Sequence, residues 1–471
     1  MKKVTASLML CFFALQAETP KNSQTFLFTR PGQQNFCLQQ SIWHNLLYDK
    51  EKKNAFNLDV YHQESTHANN IQAYFLPSFR TQLLVNSTAI NRDVLPLWLE
   101  LPVDFNGVLR IKPTQKQTGF TLEGRHLLGN FLDFGSVAGC KLFQNWCVFF
   151  TASFNSVKNN WGLSQDNVSG EGPKTSPVYD ILTAFNNPEW AFYKSDGPNT
   201  QNQLSEIRLG LNTTFISSPR AQVATYSAFT LPCTKKPANK YIFAAQSGYN
   251  GHFGVIWGIS FQFPLNRPDE DYTLAGTINF ENIFLLRNHQ FRTFDLNGKQ
   301  WSRFMLLRKQ NDPTNTLIPG VNIFTHKVRV SPHDIIDFGT GLRFTKNWFE
   351  GELGYGLWAH KGERCRFSDA VWVPEYGIAG TTLNTTASKS TIAHQAPNDP
   401  TFVTILESDI NLKSGEQTSN LAHKVYGSLG IKRFSDSCDN TFNIGAVVEI
   451  PHNNTDVLST WGIWLSAGIA F

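Results

Sequence analysis

The sequence predicts an all-β fold: a transmembrane antiparallel β-barrel of about 16 strands (range 14–18), with short turns at one end and long loops at the other. Three observations carry that expectation. Segment after segment alternates apolar and polar residues at a period of two. The cleanest sets Phe253, Val255, Trp257, Ile259, Phe261 and Phe263 against Gly254, Ile256, Gly258, Ser260 and Gln262. Charged residues make up 17% of the chain, below the roughly 25% of soluble domains. Yet no later window approaches 18 consecutive apolar residues, which excludes spanning helices but not strands that show every second residue to lipid. Finally, Trp461, Ile463, Leu465, Ala467, Ile469 and Phe471 fall on one face of a last strand, opposite Gly462, Trp464, Ser466, Gly468 and Ala470.

Residues 1–17 read as a secretory signal peptide: Met1-Lys2-Lys3, an apolar run from Val4 to Leu15 too short to span a bilayer, and Ala17 at the expected cut. Residues 18–35 are polar and turn-rich, a lead-in or small plug. Residues 36–471 form one barrel. Its strands are expected at Phe36–Tyr48, Phe56–His62, Phe105–Lys112, Gly119–Leu127, Trp146–Phe154, Leu204–Phe215, Val223–Leu231 and Phe253–Phe263. They continue at Tyr272–Leu286, Trp301–Arg308, Asn322–Val330, Ile335–Thr345, Trp348–Trp358, Lys424–Arg433, Thr441–Ile450 and Ser459–Phe471. Weaker alternation at Ile71–Phe75 and Gln82–Val85 accounts for the upper limit. Counting back from Phe471, the three longest connections, near 155–203, 232–251 and 360–420, land at the same end. The first holds two apolar stretches, Val178–Phe185 and Trp190–Tyr193, which suit either a segment folded into the lumen or one packed over the rim. The third, with its small, Thr-rich Gly380–Ser390, reads as surface display.

The signal peptide, the alternating strands and the aromatic last strand together resemble bacterial outer-membrane β-barrel proteins of the porin-like kind. The resemblance implies a cell outer-membrane location, periplasmic turns, extracellular long loops, and contact with outer-membrane lipid. It also implies that the barrel-assembly machinery reads Trp461, Ile463, Leu465, Ala467, Ile469 and Phe471. A homo-oligomer is compatible with it.

Alternation also assigns a lumen face, with Arg110, Lys112, Glu123, Arg125, Glu206, Arg208, Asp337, Arg343, Glu350, Glu352, Lys432 and Glu449 as pore-lining candidates. Charges of both signs across a water-filled lumen would select small hydrophilic solutes by charge and size. Without residues 1–17 the chain carries 39 basic and 37 acidic side chains (41 − 2 against 37), too balanced for a nucleic-acid footprint. The six remaining cysteines, Cys37, Cys140, Cys147, Cys233, Cys365 and Cys438, permit disulfides in an exported protein, with Cys140 and Cys147 the only close pair. No catalytic, metal or cofactor motif accompanies the twelve histidines, so an enzyme is not expected.

Three functions follow, in order of preference: a porin-like channel for passive diffusion, a barrel anchoring surface loops or an adhesin without an open pore, and a secreted soluble β-sandwich binding protein. The last draws on glycosylation-type triplets such as Asn86-Ser-Thr and Asn384-Thr-Thr.

Overall fold

The computed structural model describes residues 52–471 apart from 67–68, 78–79, 89–91, 130–135, 138–139, 196, 219–220, 268, 315, 369–371, 379–403, 434, 436 and 453–457. The expected signal peptide, the 18–35 lead-in, the strand Phe36–Tyr48 and the Gly380–Ser390 stretch lie outside the described residues. Twelve antiparallel strands form the barrel: β1 (Asn54–Ser65), β2 (Thr114–Gly129), β3 (Cys140–Asn160), β4 (Asn199–Ser218), β5 (Ala221–Leu231) and β6 (Gly254–Pro264), then β7 (Thr273–Leu285), β8 (Asp334–Lys346), β9 (Phe349–His360), β10 (Asn420–Arg433), β11 (Asp439–Pro451) and β12 (Thr460–Ala470). Each pairs with its sequence neighbours, and β1 pairs with both β2 and β12, closing the sheet. At the seam the Asn54 N–H donates to the Phe471 carbonyl at 2.8 Å and the Phe471 N–H to the Asn54 carbonyl at 2.9 Å. Closure leaves no unpaired edge, the condition for a sheet in hydrocarbon.

The outer wall is what the alternation foretold. Leu353 (65% exposed), Ile450 (59%), Val425 (57%) and Ile463 (49%) point outward, as do Trp461, Leu465, Ala467, Ile469 and Phe471, while Gly462, Trp464 and Ser466 between them are buried. So continuous an apolar belt is incompatible with a water-facing surface. Along β12 the ten-residue step from Trp461 to Phe471, at about 3.4 Å per residue and a tilt of about 40°, spans about 26 Å of height, close to the roughly 25 Å apolar band of membrane barrels. Aromatic rings mark both edges of that band. Phe56 stacks on Phe471 and Phe344 meets Phe349 at one rim, and Trp461 meets His62 at the other. A soluble β-sandwich is thereby excluded.

The strand number differs from the expected 16. Phe105–Lys112, Trp301–Arg308 and Asn322–Val330 have strand-like sequences but leave the barrel. They fold at the end opposite Phe471, where six connections (66–113, 161–198, 232–253, 286–333, 361–419 and 452–459) carry nearly all the irregular chain. Connections at the Phe471 end run only two to ten residues. Alternation signals a strand with one buried face; it does not say whether the other face meets lipid or water.

The long connections build a cap. Gln82–Asn86, Asn106–Arg110 and Ser164–Ser169 form one small sheet, and Asn288–Thr293, Thr325–Ser331 and Arg364–Phe367 a second. Ile71–Phe75, read as a weak strand, belongs to the helix Asn69–Phe75. One hydrophobic core joins five of the six connections, with Tyr74, Trp98, Trp161, Phe185, Trp190, Phe243, Trp301 and Leu458 all at most 3% exposed. The two apolar stretches of the 155–203 region go into this core, so that loop packs over the rim. A second core, around Phe294, Val328, Cys365, Trp372 and Ile410, joins 286–333 to 361–419. The fully buried Arg303 binds fully buried Asp295 through two bonds of 2.7 and 2.8 Å, tying the two cores together.

Candidate functional site: the lumen beneath the cap

Inward side chains of the barrel are polar yet almost inaccessible to water. Among the described residues away from the rims, eight carboxylates face inward (Asp59, Glu123, Glu206, Glu281, Asp337, Glu350, Glu352 and Glu449). Five cations accompany them (Arg125, Arg208, Arg343, Lys424 and Lys432), an excess of three negative charges (8 − 5). A water-filled lumen leaves its walls exposed; here Lys424 is 1% exposed, Glu281 2% and Arg208 4%.

These groups meet across the lumen. Arg208 on β4 donates Nη1–H to Glu281 on β7 at 3.1 Å and Nη2–H to the Tyr249 hydroxyl at 3.0 Å, while its Nε lies 3.0 Å from Glu206. Tyr226 on β5 donates to the same Glu281 oxygen at 2.5 Å. Lys424 on β10 reaches Asp337 on β8 at 2.9 Å, and it stands opposite Glu449 in the β10–β11 register. Toward the Phe471 end, Glu350 receives both Arg343 (2.6 Å) and Lys432 (2.5 Å), and Tyr426 donates to Glu352 at 3.1 Å. Tyr61, Tyr426, Val447 and Trp464, from four strands, cluster at mid-height.

Glycines make that packing feasible. Five inward aromatics lie over a glycine directly opposite on the next strand: Tyr61 over Gly119, Phe149 over Gly210, Tyr226 over Gly258, Tyr426 over Gly354 and Trp464 over Gly445. A β-carbon at any of these glycines would run into the ring. Phe149, Tyr226, Ala228, Tyr249, Ile256, Ile283, Leu285, Ile335, Trp358 and Ala422 form an apolar cluster inside the barrel, drawn from β3, β5 to β10 and connection 232–253. Tyr249 comes from connection 232–253, so that loop, and not 155–203, dips into the barrel.

Between mouth and cap lies a cavity of about 20 Å³, lined among others by His252, His333, His360, Trp358 and Glu363. His252 is almost fully buried, its Nδ1 2.6 Å from the Leu286 carbonyl and its Nε2 2.8 Å from the Gln290 amide. Burial pushes its pKa down to about 4.

Ten of the twelve pore-lining candidates point into this lumen: Glu123, Arg125, Glu206, Arg208, Asp337, Arg343, Glu350, Glu352, Lys432 and Glu449. Arg110 and Lys112 do not. Their strand pairs inside the cap, where half-exposed Arg110 binds Asp166 at 3.1 Å and Lys112 is exposed. The possible Cys140–Cys147 disulfide is not formed. Both residues lie on β3, where seven residues at about 3.3 Å each exceed the roughly 7 Å limit between bridged Cα atoms, and Cys147, Cys233, Cys365 and Cys438 carry free thiols. Sequence reasoning missed Asp59, Tyr226, Glu281 and Lys424, although alternation within Asn57–Asp59–Tyr61 and Thr277–Asn279–Glu281 marks their face. Nothing in the sequence singles out Tyr249.

No family model matches the chain, and no curated protein resembles it. Among solved structures, an outer membrane channel from Pseudomonas putida F1 aligns over 90% of this chain and 99% of its own, at 7% identity and a TM-score of 0.37. The transport unit of the autotransporter AIDA-I from Escherichia coli covers 94% and 99%, at 6% identity and 0.36. A Pseudomonas aeruginosa FadL homologue covers 89% and 90%, at 7% identity and 0.27. The chain is a closed twelve-stranded β-barrel on its own strand register, with a lipid-type outer belt and a capped, polar lumen.

Proposed function

We propose that this protein is a bacterial outer-membrane β-barrel that anchors its folded cap at the cell surface, with the lumen closed at rest. The observation that carries the reading is the combination of a water-excluded, ion-paired lumen, an apolar cluster inside it, and a cap with its own aromatic core. Long connections of membrane barrels face the outside, which puts the cap where a surface anchor would display it. Export through residues 1–17 and recognition of the β12 outer face by the assembly machinery belong to the same proposal.

A small-solute channel is the second reading, favoured by one observation: the lumen carries thirteen charged side chains (8 + 5) that an anchor does not need, and burying them is costly. Passage would require the apolar cluster and the Arg208–Glu281 pair to separate. Planar-bilayer recording of the refolded mature chain decides between the two. A heat-modifiable barrel that stays electrically silent supports the anchor; stable ohmic steps would replace it with the channel.

A further inference from the structure

Asp59 is the anomaly in the lumen. It is fully buried at mid-height of β1, with one oxygen accepting the Asn57 amide N–H at 2.9 Å and the other, Oδ1, without a hydrogen-bond partner. Glu123 on β2 is 7% exposed, and its Oε1 also lacks a partner. Among the described residues neither carboxylate has a Lys, Arg or His in ion-pair contact. The register pairs Asp59 with Thr121 and Asn57 with Glu123, so the two acids are diagonal neighbours on one inward face, about 7–8 Å apart at the backbone and within reach of a shared ion. These two account for most of the lumen's excess of three carboxylates.

A buried carboxylate whose charge is not fully met is strongly disfavoured; Arg125 and Arg208 act on Glu123 from beyond ion-pair distance, while among the described residues no cation acts on Asp59. The surrounding side chains offer oxygens: the Thr121 hydroxyl, 3.0 Å from Ser153 Oγ, and the Asn57 carbonyl oxygen, which accepts from Ser466 at 3.2 Å. Carboxylate, amide and hydroxyl oxygens, without sulfur or imidazole, are the donor set of a hard cation. No group of three or more His, Cys, Asp or Glu is gathered for a metal among the described residues, so a bound ion keeps part of its water shell.

The geometry points to a partly hydrated divalent cation of the Ca²⁺ class held between Asp59 and Glu123. Asn57 and Asp59 sit on the strand that closes the barrel, and Ser466 lies opposite Asp59 on β12. The ion therefore braces the seam between first and last strands. This assignment is independent of whether the lumen conducts.

The test uses the full mature chain refolded in vesicles. Urea unfolding is followed in excess Ca²⁺ and in excess chelator, at constant ionic strength and at two pH values, for the wild type and for Asp59→Asn with Glu123→Gln. The expected result is unfolding at least tenfold slower in Ca²⁺ than in chelator for the wild type, with that ratio falling to about one in the double variant. Sensitised luminescence of Tb³⁺ bound to the wild type, excited through Tyr61 or Trp464 and quenched by added Ca²⁺, gives a readout that does not depend on the variant folding. Identical rates with and without Ca²⁺ together with absent Tb³⁺ emission overturn the site. So does unfolding that follows pH and ignores Ca²⁺, which would mean the acids are neutralised by protons.

Discussion

Adding a single methyl group at Gly258 tests how the lumen is packed. The β-carbon of Gly258→Ala on β6 would lie within the ring of Tyr226 on β5, against Cε1, Cζ and the hydroxyl. The ring has no free direction: its hydroxyl is held by Glu281, and Glu281 by Arg208. Overpacking costs about 1–3 kcal/mol, and losing a hydrogen bond to a charged group adds about 1.5–3 kcal/mol, so Gly258→Ala should destabilise the barrel by about 3–5 kcal/mol. Tyr226→Ala is costly by itself, but in that background the alanine at 258 meets no ring and should be nearly neutral, a coupling of at least about 2 kcal/mol. Urea midpoints of vesicle-refolded protein, read by tryptophan fluorescence and by the mobility of unboiled samples, measure all four variants of the cycle. A Gly258→Ala cost below about 1 kcal/mol, or the same cost with and without the ring, would refute the glycine–aromatic account.

Three further expectations concern other parts of the molecule. His252 has its pKa lowered to about 4 against an unfolded value of 6.5. The stability it confers is fully present above pH 6.5 and is lost as pH falls toward 4, up to about 3 kcal/mol over 2.5 units; hydrogen exchange in the cap should quicken across that window and flatten in His252→Asn. Arg303→Ala strands the carboxylate of Asp295 inside the cap and should cost about 3–5 kcal/mol. Limited proteolysis should then cut the cap while the barrel remains heat-modifiable; an uncut cap would show that the pair is dispensable. Leu353→Arg places a charge on the lipid face near mid-strand and should lower vesicle stability by about 2–4 kcal/mol, and an unchanged midpoint would move Leu353 out of the membrane.

The barrel was legible in the sequence wherever a strand keeps lipid on one face and lumen on the other. β6, β11 and β12 emerge almost residue for residue because Val255 to Phe263, Phe442 to Ile450 and Trp461 to Ile469 alternate without a break. Alternation failed where it was met by a different partner: Asn106–Arg110 buries Leu109 against the cap core and shows Arg110 to water, a pattern that a barrel strand shares. Ten inward charges follow from parity alone. Their pairing does not, since Arg208 reaches Glu281 across two intervening strands, a relation fixed by curvature and not by spacing. The same holds for Tyr249, delivered to Arg208 by a loop whose course depends on the cap.

The cap core is also a statement about order of assembly. Its residues run from Ile71 to Leu458, so the first and last connections contribute to the same aromatic cluster, with every barrel strand but β1 and β12 lying between them in the chain. Contacts so distant in sequence form late and slowly, and no contiguous piece of the polypeptide holds the whole core. The cap can therefore complete itself only when the strands have brought its segments together. An intact, protease-resistant cap certifies a finished barrel, and an insertion tolerated in one outer connection must be accommodated by four others.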